Sequence, residues 1–327
     1  MIRRIDRAQP LLDDPRIIRA LVWFVGSGVL FYLAAIFWFG WRETADVLLT
    51  LSSQTLLMGA AFASTAYLWR FGRWEYSLHC LGYSLPRLRH LCIYLSGLAL
   101  TATPGKAGET FRSALLVRQG VRVPHSLAGF LVDRSTDVLG MCLLGGLAAL
   151  IVGHSLAWIW MLTFAGMLLG SCGFAYMLLH PRTDALWDWL MRHLRWLPVK
   201  GGQAMLESWA SVWKLPRVMV FAGVAMLAYG TQALVFAWFC RIVGTGVSVA
   251  DCILIFVQAT LFGAASMLPG GLGAMEAALV LQLIERGVDE GVAVAVAISI
   301  RLVTLWVGMS LGALCLLFSS SKDLEAE

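Results

Sequence analysis

The segment Pro104-Gly105-Lys106-Ala107-Gly108-Glu109, continuing through Arg118-Gln119-Gly120-Val121 to Arg134, returns later in the chain as Pro269-Gly270 through Glu276 and Arg286-Gly287-Val288 to Arg301. The Pro-Gly pairs lie 165 residues apart, whereas Glu109/Glu276, Gly120/Gly287 and Arg134/Arg301 each lie 167 apart, so one two-residue insertion just after the Pro-Gly reconciles the copies. Both copies interrupt apolar segments. Proline removes a helical donor and glycine frees the backbone, so a duplicated Pro-Gly break with charges at membrane depth points to a binding site built from discontinuous helices.

Working outward, 59% hydrophobic and 14% charged residues, with a mean hydropathy of +0.76 over 327 residues, leave too little polar surface to cover a water-soluble globule. The expected fold class is an all-α polytopic membrane protein, with residues 1–327 as a single integral membrane domain. Apolar stretches of about 20 residues, enough to cross a hydrocarbon core of about 30 Å, fall near 18–40, 48–69, 126–152, 156–180, 217–243 and 291–318. Four further apolar segments, 91–103, 108–119, 250–268 and 274–286, pair around the two breaks. At about 20 Å, 91–103 is too short to cross, so 91–119 and 250–286 are predicted to be re-entrant hairpins. The result is two units of one plan, 18–152 and 156–318, inserted in opposite orientation as an inverted repeat.

Basic residues orient the chain. The tail 1–19, the 70–90 loop, the 104–123 stretch and the 181–217 loop hold 19 of the 25 Lys and Arg. The opposite loops carry Arg42, Arg241 and Arg286 against Glu43, Asp46, Asp251, Glu285, Asp289 and Glu290. The excess of positive charge places both termini on the cytoplasmic side of the inner membrane. The polar first 19 residues lead into a full-length span without a small-residue cleavage pattern, which predicts a retained first helix. The 181–216 stretch, with Leu186, Trp187, Leu190, Met191 and Leu194 at helical spacing, suits an amphipathic insertion on the cytoplasmic leaflet. Trp209, Trp213, Trp69 and Trp74 are expected to anchor at headgroup depth, the alternative being a ligand cage.

The composition also narrows the chemistry. Seven scattered cysteines lack a C-x-x-C pair and read as packing residues. Six histidines form no cluster with metal-ligand spacing, and no Walker loop or dinucleotide fingerprint occurs, so no metal and no cofactor are expected. The formal charge of +5 points to anionic cytoplasmic lipid and carries no nucleic-acid role.

Candidate binding residues gather at the breaks. Helices resuming after Gly108 and Gly273 aim free N–H groups and a partial positive charge at the membrane centre, a ready place for a phosphate. Pro104, Gly105 and Lys106 form the first tip, and Pro269, Gly270 and Gly271 the second. Arg112 adds charge or snorkels to the interface. Glu109 and Glu276 complement a helix dipole, or bind a cationic headgroup, or carry a coupling proton. Asp133 and Asp137 share a helical face, and Arg134 reaches Asp137 at i,i+3. Arg301 has no acid beside it, so Glu276 is its expected partner, as Glu109 would be for Arg134. These charges form either a structural ion-pair set or a substrate contact.

The two signatures, Pro104-Gly105-Lys106-Ala107-Gly108-Glu109 with Arg112, Arg118, Gly120 and Arg134, and Pro269-Gly270-Gly271-Leu272-Gly273 with Glu276, Gly287 and Arg301, resemble the transmembrane region of lysylphosphatidylglycerol synthases, also called flippase-like domain proteins. The resemblance covers essentially the whole chain. It implies a stand-alone lipid translocator, since the sequence ends at Glu327 without the soluble aminoacyl-transfer domain of the full-length synthases. The expected function is movement of a lipid or polyprenyl-type amphiphile with an anionic phosphate headgroup, by alternating access at a charged midplane cavity. Two alternatives stand beside it: a membrane-embedded enzyme using Glu109, Asp133 or Glu276 as acid or base, and a scaffold for lipid-biosynthetic enzymes. Membrane lipids, such enzymes or a second copy of the chain are the expected partners.

Overall fold

The computed structural model describes residues 49–99, 101, 111–155, 157–180 and 202–324, and every regular element among them is helical. In chain order these are α1 (Ser53–Cys80), α2 (Arg87–Ala99), α3 (Phe111–Val117), α4 (Val123–Val152), α5 (Ala157–Leu179), α6 (Gly202–Val212), α7 (Leu215–Ile242), α8 (Val249–Ala265), a 3-10 turn at Pro269–Gly271, α9 (Ala274–Glu285) and α10 (Glu290–Arg301). A π-helical turn at Leu302–Trp306 then leads into α11 (Val307–Leu324). α4, α5, α7 and the run Glu290–Leu316 are long and apolar enough to cross a membrane. The chain is an all-α polytopic membrane protein. The expected span 18–40, the first hairpin tip and residues 181–201 lie outside the described residues.

Local sequence explains where these helices begin and end. Pro sits in the first turn of α4 and α7, where a missing N–H costs nothing. Ser248 caps α8 by accepting the Asp251 N–H at 3.1 Å, and Asp289 caps α10 by accepting from Gly291. At the second break Gly270, Gly271 and Gly273 hold φ of 60°, 67° and 83°, a left-handed path open to glycine and strained for other residues.

The expected 48–69 span does not stop there. α1 runs through the segment expected as a 70–90 loop as far as Cys80, because Arg70 and Arg73 find partners inside the protein and the helix need not leave the membrane to solvate them.

The two halves share several packing relations. α1 and α7, both of 28 residues, pack antiparallel, with Gly59 against Phe239, Arg70 over the Tyr229 ring and Tyr76 edge-on to Phe221. α2 lies along α11 as α8 lies along α4, while α3 joins α2 to α4 as α9 joins α8 to α10. Each short pair is closed at its base. Arg89 donates to Gln119 at 3.3 Å across α2 and α3, and Arg286 pairs with Asp251 across α9 and α8. These bases sit at opposite ends of α4: Tyr83, just before α2, accepts the Arg122 N–H and meets His125 at 2.9 Å at the amino end, whereas Leu254 of α8 packs on Ala148 and Ala149 near the carboxyl end. At 17 residues, or about 26 Å, α8 is at the short end of the lengths that cross a membrane.

α6 packs against α4 and α5, and it corrects one expectation. Trp209 and Trp213 stack on each other at 4.7 Å and are 4% exposed, buried against Val132, Val218 and Phe221. Trp74 is likewise buried and donates its indole N–H to His90 at 3.0 Å. These three rings therefore do not sit at the interface, because helix packing supplies better apolar contact than headgroups do. Trp69 alone of the four stays exposed.

Glycines set the closest helix crossings. A Cβ on Gly140 would come within 2.5 Å of the Ala225 Cβ and 2.7 Å of the Met226 nitrogen, while one on Gly166 would meet nothing within 4 Å. Gly140→Ala is expected to destabilise the protein by about 1–3 kcal/mol through overpacking. Gly166→Ala should be neutral or stabilising by up to about 1 kcal/mol. Thermal unfolding in detergent checks both.

Candidate functional site

The described residues include three buried charge clusters, two in the first half and one in the second. In the first, Arg73 of α1 donates through Nε to Asp133 at 3.0 Å and through Nη2 to Asp137 at 2.7 Å, and Arg134 reaches the second oxygen of Asp137 at 3.0 Å. Asp133 and Asp137 are one turn apart on α4, so their carboxylates face α1 together. The i,i+3 pair of Arg134 with Asp137 was legible in the sequence, and the central role of Arg73 was not. Two acids beside one arginine were the available signal, because an intramembrane carboxylate needs a partner.

The second cluster closes the Pro-Gly break. Arg301 donates through Nε to Glu276 at 2.8 Å and through Nη2 to the Gly270 carbonyl at 2.6 Å, while Glu276 accepts the Gly273 N–H at 2.9 Å through its other oxygen. The expected Arg301–Glu276 pair is present. One arginine thus neutralises an acid and satisfies a backbone carbonyl freed by the break. The same geometry bears on the start of α9, where a phosphate is expected from the sequence. Glu276 itself supplies the anion at that helix terminus, so the Gly273 N–H is already taken. Gly271 faces α8, where a Cβ would lie 3.2 Å from the Gly263 carbonyl oxygen, so its lack of a side chain serves packing.

The third cluster holds Arg112. Its guanidinium lies 4.5 Å over Trp74 and 4.8 Å over Tyr94 and is 2% exposed, so the side chain does not snorkel to the interface. Gly97 makes the room, since a Cβ there would come within 2.6 Å of the arginine Cγ. Stacking on aromatic faces is favourable for a buried guanidinium. Pro104, Gly105, Lys106, Gly108 and Glu109 lie outside the described residues.

Between α1, α7, α8 and the π-turn is a polar cavity of about 110 Å³, room for several waters or a phosphate-sized group. Tyr67, Arg70, Tyr229, Gln232, Thr260 and Arg301 line it. The register that matches the ends of α1 and α7 sets Ala66-Tyr67…Arg70 opposite Ala228-Tyr229…Gln232, so both halves send the same kind of side chains to one place. Arg70 Nε is buried without a hydrogen-bond partner, and its guanidinium rests 4.3 Å over Tyr229. The Tyr67 hydroxyl donates to the Thr304 carbonyl inside the π-turn. Sequence reasoning missed this set. The repeated Ala-Tyr dipeptide, and Gln232 as a lone amide within an apolar span, were the signals that pointed there.

The sequence matches the model of a family described as the lysylphosphatidylglycerol synthase TM region over residues 23–312. It is also 28% identical over 109 residues to a UPF0104 membrane protein of Methanothermobacter thermautotrophicus, a stretch that makes up 31% of this chain and 32% of that relative. The match thus spans about a third of that relative's length.

Removing Arg73 would take from the buried Asp133 its salt-bridge partner and leave Asp137 with Arg134 alone. Arg73→Gln is expected to cost about 3–5 kcal/mol, and Arg73→Asn with Asp133→Asn and Asp137→Asn together should recover much of it. Unfolding midpoints of the single and combined variants check the claim, and equal losses in all of them would contradict it.

Proposed function

Because the chain belongs to the lysylphosphatidylglycerol synthase TM region family, we propose that it is a lipid translocator, moving an amphiphile with an anionic headgroup across the inner membrane. One observation carries this reading above the others. Among the described residues the cavity between the halves is lined by two arginines, Arg70 and Arg301, and of these only Arg301 has a carboxylate partner there, Glu276. Arg70 is a desolvated cation in contact with tyrosine, and a phosphate oxygen would complete its hydrogen bonding.

The two halves are then an inverted repeat. α2–α3 dips from one face and α8–α9 from the other, and the cavity lies between them. Alternating access follows from rocking of one half against the other while acyl chains stay in lipid. The last span is built for such motion: α10 packs on α9 of one hairpin and α11 on α2 of the other, with the π-turn between them. A π-turn carries weaker, rearrangeable backbone bonding, and Tyr67 holds it from α1.

Orientation follows the charges. Arg87, Arg89, Arg118, Arg122, Lys214 and Arg217 gather at the α4 amino end, and Asp251, Glu285, Asp289 and Glu290 at the other, so we place the basic end in the cytoplasm. We read the chain as a carrier in preference to an enzyme, since among the described residues Asp133, Asp137 and Glu276 are each engaged by arginine.

The test is reconstitution in liposomes with headgroup-labelled phosphatidylglycerol. Purified chain should accelerate movement between leaflets, and Arg70→Gln, which copies its counterpart Gln232, should slow it about tenfold or more, the worth of one charge-assisted hydrogen bond. Its melting temperature should stay near that of the parent. No movement above protein-free vesicles, or a new covalent lipid product, would overturn the reading.

A further inference from the structure

A second and larger cavity, of about 830 Å³, opens on the outer side of the seam between α1 and α7. Leu68, Trp69 and Tyr76 of α1 and Val220 of α7 form its exposed walls, and the buried Phe221 and Arg73 form its floor. We propose that this groove is a phospholipid-binding site, holding an acyl chain of an anionic glycerophospholipid with its phosphate at Arg217.

The argument begins with the walls. Both helices lie in the membrane-embedded bundle, so an open apolar trough along their seam meets lipid tails, and its volume falls in the range of sites that enclose a ligand, roughly 300–1,000 Å³. The trough is not merely a gap between side chains. Gly72 lies on its surface, and a Cβ there would meet nothing within 4 Å, so the absence of a side chain leaves space for a chain from outside. Tyr76 stands edge-on to Phe221 at 5.9 Å, giving the trough an aromatic end. Trp69, 48% exposed, completes a wall of the amphipathic rings that favour the region where tails meet headgroups.

Charge selects the headgroup. Among the described residues Arg73 and Arg217 are the only charged ones that line the trough, and no acid does. Arg73 is held by Asp133 and Asp137, although its Nη1 is buried with no hydrogen-bond partner. Arg217 is at the mouth, in the first turn of the 28-residue helix α7, where the dipole is positive, and Lys214 precedes it. Its one hydrogen bond given by the structure is a long one, 3.4 Å to the Ser211 carbonyl. A phosphate at the mouth would gain Arg217 and the helix terminus together, while a zwitterionic or cationic head meets an uncompensated positive charge. The same charge disfavours a second copy of this basic face as the occupant.

This site is separate from the central cavity. Arg70 and Tyr229 face inward from the α1–α7 seam, whereas Trp69, Gly72 and Val224 face outward. The proposal therefore does not depend on transport.

Native mass spectrometry of the full chain, released from nanodiscs of equal phosphatidylglycerol and phosphatidylcholine, tests it. One phosphatidylglycerol should remain per chain. Gly72→Trp should lower that occupancy about tenfold by filling the trough, with Val220→Trp as a second variant in case the first folds poorly. Arg217→Gln should remove the preference for phosphatidylglycerol, about tenfold, and Arg217→Lys should restore most of it. Arg70→Gln should leave the bound lipid unchanged. Unaltered occupancy in both tryptophan variants, or an unaltered headgroup preference in Arg217→Gln, would overturn the site. Loss of the lipid in Arg70→Gln would assign it to the central cavity, and a change of oligomeric state with lipid retained would make the groove a contact between copies; either result ends the proposal.

Discussion

A guanidinium cannot be left bare in hydrocarbon, and this fold is arranged around that constraint. Arg73, Arg112 and Arg301 are all at most 6% exposed, and their contacts include two carboxylates for Arg73, two aromatic faces for Arg112, and a carboxylate with a backbone carbonyl for Arg301. Each solution fixes a pair of elements. Arg73 ties α1 to α4, Arg112 ties α3 to α1 and α2, and Arg301 ties α10 to the break before α9. A charge that must be paired on burial costs more to misplace than an apolar contact does, so these residues set helix register more firmly than the surrounding alanines and leucines. The bonds that satisfy charge also satisfy the interrupted backbone. Arg301 does both at Gly270, which is how a broken helix persists at membrane depth.

Close helix approach is the second requirement, and it follows from the first. Side chains as short as Asp133 and Asp137 reach Arg73 only when α1 and α4 pack tightly. Hydrocarbon gives no hydrophobic push between helices, so contact must come from shape. Gly140 lets α4 touch the α7 backbone, Gly312 lets α11 touch α2 at Ala99, and Gly97 admits the stem of Arg112. A Cβ on Gly166, Gly170 or Gly173 of α5 would meet nothing within 4 Å, so glycine in this chain has two uses and only the first is explained by the described packing.

The fold class and the second charge cluster were legible in the sequence because both rest on short-range rules. Hydropathy over about 20 residues identifies spans, and an arginine without a neighbouring acid demands one elsewhere, which led from Arg301 to Glu276. What was not legible depended on long-range packing. Arg70 and Arg73 read as loop charges because nothing near them in sequence compensates them, whereas the compensation comes from α4 and α7, some 60 residues and more away. Trp74, Trp209 and Trp213 read as interfacial for the same reason. Their indoles are amphipathic, and only the position of the neighbouring helices decides whether they face headgroups or a core. The central cavity escaped because its repeat is spread through two helices, Tyr67 and Arg70 against Tyr229 and Gln232, without the glycine and proline that made the other repeat conspicuous.

The differences between the halves say more about mechanism than their likeness. Perfect duplication would put an arginine opposite Arg70, and two desolvated cations facing each other across about 110 Å³ would repel strongly in a low dielectric. Gln232 keeps the hydrogen-bonding shape of that position and removes the charge. The second difference is the π-turn, present after Arg301 and absent from the corresponding stretch of α4, which is continuous helix through Arg134. Its place is between the portion of the last span that packs on one hairpin and the portion that packs on the other. The turn stands between these two contacts, with Tyr67 holding its Thr304 carbonyl from α1 and Arg301, just before it, holding the Gly270 carbonyl. The asymmetry thus falls at two points, the charged centre and the shared helix.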